Sequence, residues 1–222
     1  RKNVPDFAAY ARDKGVIDIS IHTNGIPMTE EVSERLIDSG VTRIMVSIDA
    51  ITNETYEKIR IGGDLDKVKK NIFSFLSIRE KKKRWLPILS VNFCRTSINE
   101  HELNDFVNYW SKHADFFAIQ EYVDPFLRVS ENSDEEKDNA FPLVEGFKCS
   151  KPYMRASITY DGIFMPCCSN HAPRLKIGNV FEDSASSIWH NYKMKNLRKI
   201  QKNGEYYKNN VCRSCVHGNH NN

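Results

Sequence analysis

The chain has 222 residues, of which 40% are apolar and 27% are charged, and its formal net charge is +3. This composition excludes disordered, fibrous and repeat classes and is typical of a folded protein with one large or two modest domains. The longest apolar runs, residues 44–46 and 116–119, are far shorter than the ~20 residues that a membrane-spanning helix needs. We therefore predict no membrane segment.

Apolar strands and amphipathic helices alternate through the first half of the chain. The predicted strands are 16–21, 43–48, 86–93 and 116–120, and the predicted helices are 5–14, 29–40, 53–60, a longer helix from Asp64 and another from Asn99. Thr29 and Asp64 are predicted to cap their helices. This alternation indicates βαβ units around a parallel sheet or barrel, so the fold class is α/β.

Polar residues follow or end each of the four predicted strands. They are His22 to Asn24, Ser47, Asp49, Asn92, Gln120 and Glu121. In parallel α/β folds ligands bind at the carboxyl ends of the strands, so we expect these residues to ring one mouth. Asn92 and Gln120 are the candidates for lining the substrate site.

An acidic stretch without apolar residues, 130–139, is predicted to be a solvated loop or linker. It divides the chain into a first domain at 1–130, an acidic linker at 131–146 and a second domain at 147–222. In the second domain, Asp161-Gly162 is a strong hairpin signal. Ser184 is predicted to cap one helix that ends near Gly204.

Charge is distributed unevenly between these parts. Residues 1–146 contain 20 Lys and Arg against 25 Asp and Glu, whereas residues 147–222 contain 12 against 4. The basic tail is suited to an acidic peptide, an anionic metabolite or nucleic acid, or it offsets a negatively charged metal–thiolate centre. Aromatic residues are not interleaved with the basic ones, so nucleic acid is the least favoured partner.

Six cysteines are present, and five of them fall in the last third of the chain. A long segment poor in cysteine comes first, which favours an intracellular metal site over a secreted disulfide framework. The spacing Cys149-x17-Cys167-x44-Cys212-x2-Cys215 offers four thiolates, which suit either Zn²⁺ or an iron–sulfur cluster. Cys94 and Cys168 are left over as buried or spare thiols, and we expect Cys168 to point away from the four.

Motifs in both halves resemble those of radical S-adenosylmethionine (SAM) enzymes with a C-terminal SPASM or shortened twitch domain. In the second half these are Cys149-x12-Gly162-x4-Cys167, then Ile177-Gly178-Asn179-Val180, Ile188-Trp189, Leu197-Arg198 and Cys212-x2-Cys215. In the first half they are Thr23-Asn24-Gly25, Ser47-Ile48-Asp49-Ala50 and the segment from Thr55 to Gly63. The resemblance implies a partial (β/α) radical SAM barrel lacking its first strands, followed by a small cysteine-rich SPASM/twitch domain with a β-hairpin and a helix.

The resemblance also implies cofactors and site residues. Asn24, Ser47 and Arg60 are the positions carried over as SAM contacts, and the four cysteines of the spacing would hold one auxiliary 4Fe-4S cluster as an electron acceptor. No Cys-x3-Cys-x2-Cys motif is present, and the chain opens without Met in a helical pattern. We therefore expect a fragment whose SAM-binding 4Fe-4S cluster lies on a missing N-terminal segment. An external electron donor such as flavodoxin or ferredoxin is expected.

The substrate is less strongly indicated than the cofactors. The cysteine spacing is similar to that of the twitch-type dehydrogenase that oxidises an aminocyclitol alcohol, so we expect a radical SAM oxidoreductase acting on a sugar- or cyclitol-like metabolite. Sulfatase-maturating relatives have an acidic base where this chain has Cys168, which argues against their role. Two alternatives remain open: modification of a ribosomal peptide, and a non-catalytic four-cysteine zinc or iron–sulfur binding module. A cytoplasmic location is expected.

Overall fold

The structure is a computed structural model that describes residues 3–122, 143–169 and 171–220. The chain divides into two compact units, one ending at Tyr122 and one following it. Most of the predicted linker, residues 131–142, lies outside the described residues, so the predicted domain limits remain a prediction. No helix in the described ranges is long and apolar enough to cross a membrane.

The first unit contains a parallel sheet of four strands in the order β1-β2-β3-β4. The strands are β1 (Ser20–Thr23), β2 (Arg43–Ser47), β3 (Ile88–Arg95) and β4 (Phe116–Glu121). Helices connect them: α1 (Val4–Asp13) precedes β1, and α2 (Glu30–Asp38), α3 (Asn53–Ile59), α4 (Leu65–Lys81) and α5 (Leu103–Trp110) follow in chain order. The predicted α/β class with a parallel sheet is confirmed.

One face of this sheet is packed by helices. Because side chains alternate along a strand, Ile44 and Val46 of β2 are fully buried while Met45 and Ser47 between them are only partly covered. The buried set forms one core with helix residues such as Val68 and Phe106. The opposite face carries the less apolar alternate residues of each strand.

Two local predictions for this unit need correction. The strand predicted at 16–21 begins only at Ser20, and Ile17 is 91% exposed. Asn99 does not cap the helix that follows it; a 3-10 turn over Glu100–Glu102 intervenes before α5. The Asn99 side chain instead donates to the carbonyl oxygens of Asp49 and Cys94, so a tertiary contact replaces the local cap.

The second unit has a small antiparallel sheet, β5-β6-β7. Its elements are α6 (Lys151–Met154), β5 (Ser157–Ile158), β6 (Ile163–Met165), β7 (Gly178–Asn179), α7 (Ala185–Trp189), α8 (Tyr192–Lys202) and α9 (Asn210–His220). The hairpin predicted at Asp161-Gly162 joins β5 to β6, with Gly162 at φ +85°. The single helix predicted after Ser184 is two helices, because Asn191 is extended and its side chain caps α8 through the Met194 N–H.

Candidate functional site

Strand register in the first unit brings the predicted mouth residues onto neighbouring strand ends. Ser47 of β2 lies opposite Asn92 of β3, and Cys94 lies opposite Gln120 of β4. Asn24 immediately follows β1, whose Thr23 lies opposite Val46. Asn92 is 8% exposed and accepts from Ser90, whereas Gln120 and Asn24 are exposed.

The Thr23-Asn24-Gly25 turn is held rigidly at this edge. Thr23 Oγ1 accepts the Gly25 N–H at 3.1 Å, and Asn24 Oδ1 accepts the Ile26 N–H at 3.1 Å. Gly25 has φ +79°, and a Cβ there would lie 2.8 Å from Val68 Cγ1. Only glycine fits this backbone and this space, so the turn presents Asn24 in one orientation.

Arg60, the third predicted SAM contact, is paired with Asp49 at the end of β2. Arg60 Nε donates to Asp49 Oδ2 at 3.0 Å, and Nη2 donates to the same oxygen. The other carboxylate oxygen accepts the Cys94 N–H at 2.7 Å. The sequence places Asp49 after a strand but gives no sign of this pairing, because the two residues are joined only by the fold of the segment between them.

In the second unit, the four predicted cysteine ligands line one cavity of about 500 Å³. Cys149 precedes α6, Cys167 follows β6, and Cys212 and Cys215 lie on α9. Cys-x-x-Cys was expected as a turn after a helix, but it is part of a helix. A spacing of three residues places both side chains on one helical face, which serves the same purpose as a turn.

Cys168 also lines this cavity, so its position does not separate it from the four as expected. It is the one exposed cysteine among the six, all of which are free thiols. Arg155 Nη1 lies 3.4 Å from its sulfur. Cys94 belongs to the first unit, on β3.

Hydrogen bonds from neighbouring polar residues orient the cysteines. Gln201, 1% exposed, accepts the Cys149 N–H through its side chain at 3.2 Å. Ser169 Oγ lies 3.1 Å from Cys215 Sγ. Asn209 accepts the Cys212 N–H at 3.0 Å. These contacts were not foreseen, because none of the three residues belongs to a recognisable motif.

The thiols influence one another electrostatically. Burial, followed by the nearby charges of Cys149, Cys167 and Cys215, raises the pKa of Cys212 to about 12. Burial also raises the pKa of Cys167. Clustered thiolates in a buried cavity repel each other, and a cationic iron or zinc centre removes that repulsion. Their soft sulfur donors therefore fit such a centre.

The size of the cavity distinguishes between kinds of centre. No group of three His, Cys, Asp or Glu side chains within the described ranges has an arrangement suited to a single metal ion. The four cysteines nevertheless line a common cavity. They therefore surround a space larger than one ion, as a polynuclear cluster requires.

Comparison with known proteins agrees with this division. Residues 1–78 match the profile described as the Radical SAM superfamily, and residues 149–216 match SPASM, described as an iron–sulfur cluster-binding domain. The chain is similar to a probable GTP 3′,8-cyclase of Methanocaldococcus jannaschii, with 32% identity over 75% of this chain and 64% of that protein. It is also similar to a GTP 3′,8-cyclase of Clostridium botulinum, with 34% identity over 68% of this chain and 56% of that protein.

A likeness in fold covers more of the chain. The crystal structure of BtrN in complex with AdoMet and 2-DOIA matches over 96% of this chain and 66% of that chain, with 17% identity and a TM-score of 0.50. The chain spans 64% of the length of a third relative, a probable GTP 3′,8-cyclase of Methanococcus maripaludis that is 27% identical. The chain thus belongs to the radical SAM superfamily and carries a C-terminal SPASM domain.

Proposed function

We propose that the full-length protein is a radical SAM oxidoreductase that oxidises a sugar- or cyclitol-like metabolite, using one auxiliary 4Fe-4S cluster held by Cys149, Cys167, Cys212 and Cys215. The observation that carries this proposal is the shared cavity of these four cysteines inside the segment that matches the SPASM profile. Four thiolates occupy all four iron corners of such a cluster, so its role is electron transfer and not substrate binding.

The cofactors would supply the difficult chemistry. When bound, SAM and its reducing cluster provide a 5′-deoxyadenosyl radical that takes one hydrogen atom from a substrate carbinol, and the auxiliary cluster takes the remaining electron as the hydroxyl proton leaves to solvent. The reducing cluster would lie on an N-terminal segment, and an electron donor such as flavodoxin or ferredoxin would serve it. Free thiols at all six cysteines fit the cytoplasmic location that we propose.

The chain's own residues would bind and orient. Asn24, Ser47 and Arg60 would contact SAM at the carboxyl edge of the sheet. Asn92 and Gln120 would line the substrate site, because they continue the same edge across β3 and β4. Their amide groups are uncharged and hydrogen-bond well to hydroxyls, which supports a polyol over a strongly anionic substrate.

A second candidate function is chemistry on a nucleotide, supported by the relatives named as GTP 3′,8-cyclases. A triphosphate needs several cationic contacts. Modification of a ribosomal peptide is a third candidate, supported by the basic second unit. A panel of amino sugars, cyclitols, GTP and peptides, assayed for 5′-deoxyadenosine and product, separates the three.

The cluster is tested by anaerobic reconstitution. We expect a brown protein with broad visible absorption that bleaches on reduction, and loss of the colour in Cys212→Ala. Cys168→Ser is the matched control and should stay brown. In the full-length protein, Cys149→Ala should still cleave SAM but lose the oxidised product. A colourless protein holding one zinc per chain would instead support a non-catalytic binding module.

A further inference from the structure

Asp49 is held by an unusual number of contacts for one side chain. It follows β2 directly, it has a left-handed backbone with φ 62°, and its side chain is 5% exposed. Its carboxylate accepts the Cys94 N–H on one oxygen and two Arg60 donors on the other. Its carbonyl oxygen accepts from Asn99 Nδ2 at 2.8 Å. A non-glycine residue keeps such a backbone only when its surroundings hold it there.

These contacts fix which part of Arg60 is available. Nε and Nη2 of the guanidinium face Asp49, and no hydrogen bond within the described residues involves Nη1. The Arg60 side chain remains 33% exposed. Because the guanidinium is planar with five donors, the Nη1–Nη2 edge can still bind a second carboxylate in the two-pronged manner typical of arginine.

Asp49 cannot easily give up its place to an incoming anion. Its second oxygen is occupied by the Cys94 N–H, and its backbone is tied to Asn99. A ligand carboxylate would therefore meet the free edge of Arg60 and leave the Asp49 pair intact. Preorganised donors of this kind bind without the cost of reordering a long side chain.

We propose that Asp49 is a positioning residue that aims the free edge of Arg60 at the carboxylate of SAM, and so makes the site selective for nucleosides that carry an amino acid. The inference rests on the proposed function, in which Arg60 contacts SAM. Asp49 itself would not touch the ligand. Its effect would be carried through the orientation of Arg60.

The first unit contains a matched pair for comparison. Asp115 binds Arg79 through both oxygens and accepts the Leu89 N–H at 2.7 Å, at the start of β3. Asp49 binds Arg60 and accepts the Cys94 N–H near the end of the same strand. The two aspartates thus make the same kinds of contact at opposite edges of the sheet. Asp115→Asn therefore reports the structural cost of losing such a pair away from the mouth.

The experiment measures binding by calorimetry under anaerobic conditions, with full-length protein and two ligands. SAM carries the carboxylate, and 5′-methylthioadenosine lacks the amino acid. In Asp49→Asn, one amide NH₂ replaces a carboxylate oxygen, so a donor faces either Arg60 or the Cys94 N–H. We expect the Kd for SAM to rise on the order of tenfold, as for a lost charge-assisted hydrogen bond, with the Kd for 5′-methylthioadenosine unchanged.

The direction of the change separates positioning from simple charge. Removing the negative charge of Asp49 would tighten SAM binding if Arg60 acted only as a point charge, so an unchanged or lower Kd overturns the proposal. Equal weakening of both ligands overturns it too, because that would indicate a general disturbance of the site. In an Arg60→Ala background, Asp49→Asn should add nothing to the loss. An additive loss contradicts the proposal.

Further arms keep the result interpretable. Asp115→Asn should lower thermal stability without changing either affinity; a selective loss of SAM there would overturn the assignment to Asp49. Asp49→Glu keeps the charge but displaces it by a methylene, so it should show the same selective loss and serves if Asp49→Asn does not fold. Wild-type protein that binds 5′-methylthioadenosine and SAM equally well would overturn the role of Arg60 in the proposed function itself.

Discussion

The side chain of Gln201 accepts the backbone N–H of Cys149 at 3.2 Å, joining α8 to the segment before α6. Gln201 also hydrogen-bonds the Cys212 thiol. A single buried amide thus contacts two of the four proposed ligands, which are 63 positions apart in the sequence. It links the backbone before α6 to the helix that carries the other cysteine pair.

Replacing Gln201 with leucine should weaken the cluster site. The Cys149 N–H would lose its acceptor, at a cost of about 1–3 kcal/mol in the free energy of unfolding of the reconstituted protein. Denaturant unfolding and iron content after gel filtration measure the effect. Lys202→Leu, an exposed neighbour on the same helix, should change neither. Full iron retention and unchanged stability in Gln201→Leu would show that the amide is dispensable.

Removal of the cluster should loosen the second unit selectively. Its buried apolar cluster is small, comprising Phe164, Ile177, Ile188 and Met194, and such small cores depend on metal sites for stability. After iron is removed with an oxidant and chelator, hydrogen exchange should quicken in peptides from 143–216. Peptides from 3–122 should be unaffected, because the first unit has its own core. Equal protection before and after removal would contradict the prediction.

Glu102 should make stability depend on pH. Burial raises its pKa, but hydrogen bonds from Thr52 and the Ile51 N–H outweigh burial and leave the pKa below the ordinary value of 4.5. A lowered folded-state pKa means that the stabilisation is present at neutral pH and is lost as the pH falls through that value. The free energy of unfolding should therefore fall from pH 7 toward pH 3.

Glu102→Gln tests the source of that dependence. The variant should be less stable at pH 7 by about 1–3 kcal/mol, and its unfolding free energy should fall less steeply with acid. Glu54→Gln is the control, since Glu54 makes an exposed pair with Lys58 and contributes little. Parallel pH profiles for Glu102→Gln and wild type would refute the role of Glu102.

Gly25→Ala should destabilise the turn that presents Asn24. The positive φ costs an alanine about 1–2 kcal/mol, and the new Cβ would lie 2.8 Å from Val68 Cγ1, adding about 1–3 kcal/mol of overpacking. Gly62→Ala separates the two effects, because φ is +74° there but no atom lies within 4 Å. Thermal unfolding of both variants gives the difference. Equal losses would mean that contact with Val68 does not matter.

Local sequence signals predicted the order of the elements well. The N-caps Thr29 and Asp64 and the Asp161-Gly162 hairpin occur where they were predicted. Each depends on contacts within a few residues, so the chain's local chemistry is sufficient to specify it. The start of β1 was predicted less well, because strand limits depend on which neighbouring strand supplies hydrogen bonds.

The sequence by itself determined the class of the protein, through the spacing of four cysteines and the motifs at the strand ends. The tertiary structure alone decided which groups meet: Asp49 with Arg60, Gln201 with Cys149, and Ser169 with Cys215. Such pairings depend on how distant or irregular segments pack, and no periodicity records them. A ligand motif persists as spacing, whereas the contacts that orient its ligands exist only after the chain has folded.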